Sequence, residues 1–303
     1  MNGYLIGELF AFGVAVNDAI TCTCFNYAEK RVSTFTVNFL KTIVAFLGVT
    51  VLRLIATGTL SLTGTSLKAW IYLSISGLVG FVFGDFFYFY SFLYLPYRVS
   101  MMIYYANPIV TSMAAWALYG QKLKIMDWFG IVLVIAGLCI VLLAKSSQAE
   151  GSHERKQLFR GVIYALLGML GQAGGILLSN RGIQLLPAAG ASFTASQIRL
   201  IAGVIGLFVM AAAGRKFKAI GQDMKCRKEM GLVFIGGLSG CAIGTTLTLQ
   251  SLRYLPVGIS AAITSISPVL VLPFTALILK EKIKWVELWG AMICIAGIVV
   301  LSL

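Results

Sequence analysis

The 303-residue sequence predicts an all-α integral membrane protein of ten transmembrane helices, arranged as two inverted five-helix repeats. Three observations carry that reading. Charged residues make up 12% of the chain and hydrophobic residues 59%, with a mean hydropathy of +0.90. Soluble domains carry roughly 25% charged residues, so this chain cannot cover a water-facing surface. Apolar runs of about 20 residues, long enough to span a bilayer at 1.5 Å per residue, recur along the whole length. Finally, the second half of the chain repeats the first.

The spans fall near 4–26, 34–56, 69–94, 97–119 and 126–144, and then near 160–180, 192–213, 230–254, 257–279 and 285–303. The runs are continuous rather than alternating, which argues against a β-barrel. Pro96 and Pro256 fall at tight turns between the third and fourth and the eighth and ninth spans, and Pro187 in the loop after the sixth. Pro108, Pro268 and Pro273 lie inside spans, where each leaves a carbonyl unpaired that a neighbouring helix or wet cavity must satisfy. Pro108 and Pro268 read as paired kinks or hinges. The extended polar stretches are 145–160 and 215–229. The domain reading is a first repeat over 1–145, a polar linker over 146–159 and a second repeat over 160–303.

At an offset of 160 the halves align without a gap. Gly77, Gly80, Gly84, Tyr94, Leu95, Pro96, Ser100 and Pro108 fall on Gly237, Gly240, Gly244, Tyr254, Leu255, Pro256, Ser260 and Pro268. The first two spans match at 158, where Gly13, Lys41 and Gly48 meet Gly171, Arg199 and Gly206. Because each copy holds an odd number of helices, the second must enter the membrane from the opposite side. Inverted repeats of this kind place a binding site between the copies near the bilayer midplane.

The chain resembles the drug/metabolite transporter superfamily, EamA-type. The resemblance rests on Phe12-Gly13 in span one, a basic residue early in span two, the Leu95-Pro96 turn, and the Ile-Ala-Gly of the last helix in each copy (Ile135 to Gly137, Ile295 to Gly297). Phe12 stands where the family usually has Trp, and Gln121 matches the acidic Glu281 of the second copy. The resemblance implies transport of small organic solutes without ATP and a multi-pass location in the bacterial cytoplasmic membrane.

The repeat separates scaffold from site. Paired glycines read as scaffold, since small-xxx-small faces let helices approach closely. Lys41 and Arg199 match each other and either snorkel to the head-groups or face a cavity. Asp18 and Asp85 are unmatched, opposite Ile176 and Thr245, and a mid-membrane carboxylate costs roughly 2.5–3.5 kcal/mol on the insertion scale. Each is expected to bind substrate or a proton, or else to balance Lys41. Tyr88, Tyr104, Tyr105 and Asn107 are expected to line a pocket, with Gln250 and Thr245 adding polar contacts across the axis.

Together these residues point to a secondary transporter for an amino acid or amine-bearing metabolite, proton-coupled or facilitative, working by alternating access. The alternative is an exchanger of anionic metabolites recognised by Lys41 and Arg199. An enzyme would need a clustered nucleophile, base or metal, and the chain holds one His, His153, and six Cys in mostly apolar stretches. No cofactor, metal or nucleic acid is expected. A channel would need a continuous polar helix face, and neither copy has one. Lys145, Arg155, Lys156 and Arg160, with the basic cluster of 215–228, follow odd-numbered spans. Positive-inside counting therefore puts both termini outside, whereas the family resemblance implies cytoplasmic termini.

Overall fold

The computed structural model describes residues 3–60, 62, 64–95, 97–146, 155–187, 190–270 and 285–301. Pro96, Pro273, His153, Glu281 and most of the expected linker lie outside them. All regular structure among the described residues is helical. Six unbroken helical runs there are long and apolar enough to cross a membrane, and Ile125–Val141, Val257–Leu270 and Trp285–Leu301 are shorter apolar helices.

Helix α1 spans Gly3–Ala28 and α2 spans Thr34–Thr57. Ser33 caps α2 by accepting from the Thr36 amide, and Gly58, at φ 67°, ends it in the left-handed conformation that a side chain disfavours. The third run has three parts: α3 (Leu67–Gly77), a π-helical segment (Leu78–Gly84) and α4 (Asp85–Ser91). Next come α5 (Tyr97–Tyr105) and α6 (Asn107–Tyr119), broken at Ala106 just before Pro108, then α7 (Ile125–Ser146). The second half follows with α8 (Arg155–Gln184) and α9 (Ala191–Ala213). A short α10 (Phe217–Asp223) precedes α11 (Arg227–Gly236), a second π-helical segment (Gly237–Gly244) and α12 (Thr245–Ser251). Helix α13 (Val257–Thr264) breaks before Pro268, as α5 breaks before Pro108, and α14 spans Trp285–Leu301. A proline interrupts both equivalent helices because its ring and missing N–H cannot continue the ladder.

Two parts of the polar stretches are ordered. Helix α8 begins at Arg155, inside the expected linker, and α10 forms within 215–229. Asp223 holds α10 against the start of α2, accepting from the Ser33 hydroxyl at 2.7 Å and the Thr36 hydroxyl at 2.6 Å. Partial burial pushes this carboxyl up, but the donors from Thr36 and Ser33 outweigh it and hold Asp223 below the ordinary carboxylate range.

The copies interlock. Helix α1 packs on α11, α12 and α13 of the second copy, and α8 packs on α3, α4, α5 and α6 of the first. The approach depends on missing side chains: Gly80 and Gly84 cross Gly175 and Gly171 at backbone contact. The equivalent crossing sets Gly240 against Thr21 and Gly244 against Asn17 and Asp18. These contacts revise the internal alignment. Gly7 meets Tyr254 and Leu255 as Gly161 meets Tyr94 and Leu95. Helix α1 therefore corresponds to α8 at an offset of 154, while α2 and α9 keep 158, with Gly48 and Gly206 on equivalent partners. Asp18 is thus matched by Gln172, not Ile176. The four-residue slip is about one helical turn, so it keeps every residue on its face and leaves the apolar pattern unchanged.

The last helices show the inversion most directly. Gly130 lies against Gly297 and Leu301, and Gly137 against Gly290 and Cys294, so α7 and α14 run antiparallel. A Cβ at Gly137 would fall 2.5 Å from the Gly290 carbonyl oxygen and 2.6 Å from the Cys294 nitrogen, both backbone atoms with nowhere to move. Gly137→Leu is expected to cost about 3 kcal/mol or more and to lower the thermal unfolding midpoint in detergent sharply. Gly231→Ala, with nothing within 4 Å of the new carbon, is expected to match or exceed the parent. Equal behaviour of the two variants would contradict the close α7–α14 packing.

Candidate functional site

Between the copies lies a cavity of about 190 Å³ lined from both. Its walls contain nine of the ten residues expected from sequence: Asp18, Lys41, Asp85, Tyr88, Tyr104, Tyr105, Asn107, Arg199 and Thr245. The lining follows the repeat. Asp18 and Gln172, Lys41 and Arg199, Phe81 and Cys241, Asp85 and Thr245, and Tyr88 and Thr248 are equivalent pairs, each contributing both members. The cavity therefore sits on the pseudo-two-fold axis.

Neither cation snorkels, since Lys41 and Arg199 are 6% and 5% exposed. Lys41 Nζ donates to Asp85 Oδ2 at 2.9 Å in a buried ion pair. The ammonium also stands 4.9 Å from the centre of the Phe89 ring and 5.6 Å from that of Phe25. Asp85 thus balances Lys41, one of the two roles expected for it. Asp18 faces the Ser267 hydroxyl and the field of Lys41, but has no ion pair among the described residues. Arg199 stacks 5.0 Å over the Phe81 ring. Its Nε lacks a hydrogen-bond partner, and it too has no ion pair among the described residues.

The tyrosines form a wall. Tyr88 and Tyr104 stack with ring centres 3.9 Å apart, and Tyr105 meets Tyr104 edge-on at 5.5 Å. The Tyr105 hydroxyl lies 3.7 Å from Cys22 Sγ, and Asn107 Oδ1 is buried without a partner. Phe83 and Phe86 pack around Phe87 in a separate group of rings outside the cavity lining.

Gln250 is the exception. It is absent from the cavity lining and accepts from the Ser192 hydroxyl instead. Thr246 donates to Ser196 nearby at 3.3 Å, so polar contacts tie α9 to α12. The equivalent positions in the first copy, Thr34, Asn38, Phe86 and Tyr90, line an open groove between α2 and α4, and Asn38 donates to the Phe81 carbonyl. The sequence placed Gln250 by mid-span polarity alone, and polarity does not report which helix face it occupies.

Among the lining residues that sequence reasoning did not single out, two carry polar or ionisable groups important to the site. Gln172 was hidden by the alignment slip. Glu29, just past the end of α1 and beyond the expected first span, lines the cavity, and its Oε1 is buried without a partner. Asp18, Cys22, Phe25 and Glu29 share one face of α1 at i, i+4, i+7 and i+11, a pattern that marks the strip. Burial pushes the Glu29 carboxyl up to about 7, against the opposing pull of Lys41.

The family model described as the EamA-like transporter family matches residues 5–143 and again 159–303. The chain belongs to that family, whose members are membrane transporters of small solutes rather than enzymes. No curated protein matches it. Among solved structures 29 chains are similar. One, described as "Crystal structure of protein", is 15% identical over 97% of this chain and 95% of its own, with a TM-score of 0.74. At that identity the likeness is one of fold.

Two outcomes are expected of the site. Asp85→Asn leaves Lys41 buried and unpaired, which should cost about 3–5 kcal/mol, and adding Lys41→Met should recover most of it. Thermal unfolding of the single and double variants checks this, and an additive loss would disprove the pairing. Glu29, with its carboxyl raised when folded, binds more protons folded than unfolded between the ordinary carboxylate value and about 7. Its contribution is complete at acid pH and lost as pH rises through about 7. Glu29→Gln should therefore flatten the decline in stability over that window, and an unchanged slope in pH-dependent denaturation would refute it.

Proposed function

We propose that this EamA-family chain is a proton-coupled secondary transporter of an amino acid or another small amine-bearing metabolite. It works by alternating access in the bacterial cytoplasmic membrane, and the ten-span inverted reading supplies its two related states. The observation that carries the proposal is a small cavity on the axis between the copies, holding the carboxylates of Asp18 and Glu29 and the guanidinium of Arg199, none ion-paired among the described residues, and a tyrosine wall. The volume is below the roughly 300–1,000 Å³ of pockets for drug-sized ligands, which favours a compact solute.

Alternating access draws support from a difference between equivalent seams. A groove lies at both seams, but Ser192–Gln250 and Ser196–Thr246 join α9 to α12, whereas the equivalent Asn38 and Phe86 make no such side-chain bond between α2 and α4. Two copies of one shape that adopt different arrangements can exchange them at little cost in energy. Asp18 is the coupling candidate, because Asp85 is committed to Lys41. That commitment also weakens the anion-exchange alternative, which requires both cations to be available to substrate.

Proteoliposomes with a pH-sensitive dye trapped inside, offered a panel of amino acids, amines and organic anions, test the reading. A zwitterion or amine should enter together with protons. Asp18→Asn should keep substrate-for-substrate exchange and lose accumulation driven by a pH gradient. Undiminished pH-driven uptake by Asp18→Asn removes it from coupling, and uptake confined to organic anions overturns the substrate class.

A further inference from the structure

The two halves of the cavity are built alike but charged oppositely. In the first copy Lys41 is answered by Asp85, and Asp18 stands beside them, so two carboxylates and one ammonium leave one negative charge. Glu29, which also lines the cavity, adds to the same sign. In the second copy Arg199 replaces Lys41, but Thr245 stands where Asp85 would be and Gln172 where Asp18 would be. Both carboxylates have become neutral hydrogen-bonding groups, and one positive charge is left.

Arg199 is built as a recognition group. It is 95% buried by its 5% exposure, its Nε has no partner, and Phe81 supports the guanidinium plane from one side. A Cβ built at Gly80 would stand 3.6 Å from Arg199 Nη2 and 3.9 Å from Gln172 Oε1, so the absent side chain opens space beside both. The nearest acting carboxylate is Asp85, which Lys41 already holds. A buried cation with no counter-ion is costly in a low-dielectric site, and guanidinium geometry matches a carboxylate with two parallel N–H donors.

We infer that Arg199, flanked by Gln172 and Thr245, is the carboxylate subsite, and that the substrate supplies the counter-ion the second copy has lost. The substrate's ammonium then lies toward Asp18 across the axis. The transported class is a compact zwitterion with one carboxylate, rather than a simple amine or a dianion. This assignment rests on the transporter reading of the same cavity.

Leucine, leucinamide (no carboxylate) and 4-methylpentanoate (no amine) test it by thermal unfolding and binding to the purified full-length protein. Without ligand, Arg199→Gln should hold or raise the unfolding midpoint, since it removes an unbalanced charge, whereas Asp85→Asn lowers it. The wild type should bind leucine about tenfold or more tightly than leucinamide, and Arg199→Gln should abolish that preference. Thr245→Asp provides the missing carboxylate internally, so it should fold and lose leucine and 4-methylpentanoate binding together. The assignment is overturned if Arg199→Gln destabilises as Asp85→Asn does, or if it still prefers leucine to leucinamide. It is equally overturned if the wild type binds neither carboxylate. Binding of 4-methylpentanoate without leucine uptake in proteoliposomes leaves the Arg199 subsite standing and removes the amino-acid reading.

Discussion

Lys41 is a cation buried two turns inside a membrane helix, and its 2.9 Å contact with Asp85 is what makes that position tolerable. An unpaired ammonium there would have to reach the head-groups or lose its proton. Paired, it ties α2 to α4 within the first copy and fixes one wall of the cavity. The pair removes both partners from the list of free charges. What remains chemically available is Asp18, with Glu29, on one side of the axis and Arg199 on the other.

The scaffold around that pair is symmetric because packing in lipid demands it of both copies. Water supplies no drive to hold apolar helices together, so close van der Waals contact must do so. Glycines meet at two of the major crossings: Gly80 and Gly84 with Gly175 and Gly171, Gly130 and Gly137 with Gly297 and Gly290. Large apolar residues such as Leu47, Val51, Ile205 and Phe208 are exposed on the outer faces of their helices instead. Small and hydroxyl residues such as Ala15, Ser76, Ser179 and Ser260 are buried.

Chemistry departs from symmetry where it faces the cavity. Aromatic rings in the first copy (Tyr88, Tyr104, Tyr105) oppose hydroxyls in the second (Thr248, Thr264, Ser265). The matched cations are kept, while their acidic partners survive in one copy alone. A duplicated frame thereby holds a polar site with distinct ends, able to orient a solute that itself has distinct ends.

The sequence by itself determined the membrane class and the repeat, and it named nine of the residues that line the cavity. Those follow from composition, from span length and from comparing one half with the other. A charge inside a span is costly enough that its presence marks a site. Tertiary structure alone decided which charges neutralise each other, since Asp18 and Asp85 are equally plausible partners for Lys41 until distances are known. It also decided that Asp18 corresponds to Gln172, because a slip of about one turn preserves the helix face and so leaves no trace in the apolar pattern. Gln250 lies outside the cavity lining and Glu29 within it for a related reason. Polarity and distance along a span give depth, but the rotation of the helix about its axis, set by its neighbours, decides whether a side chain meets the cavity or a seam.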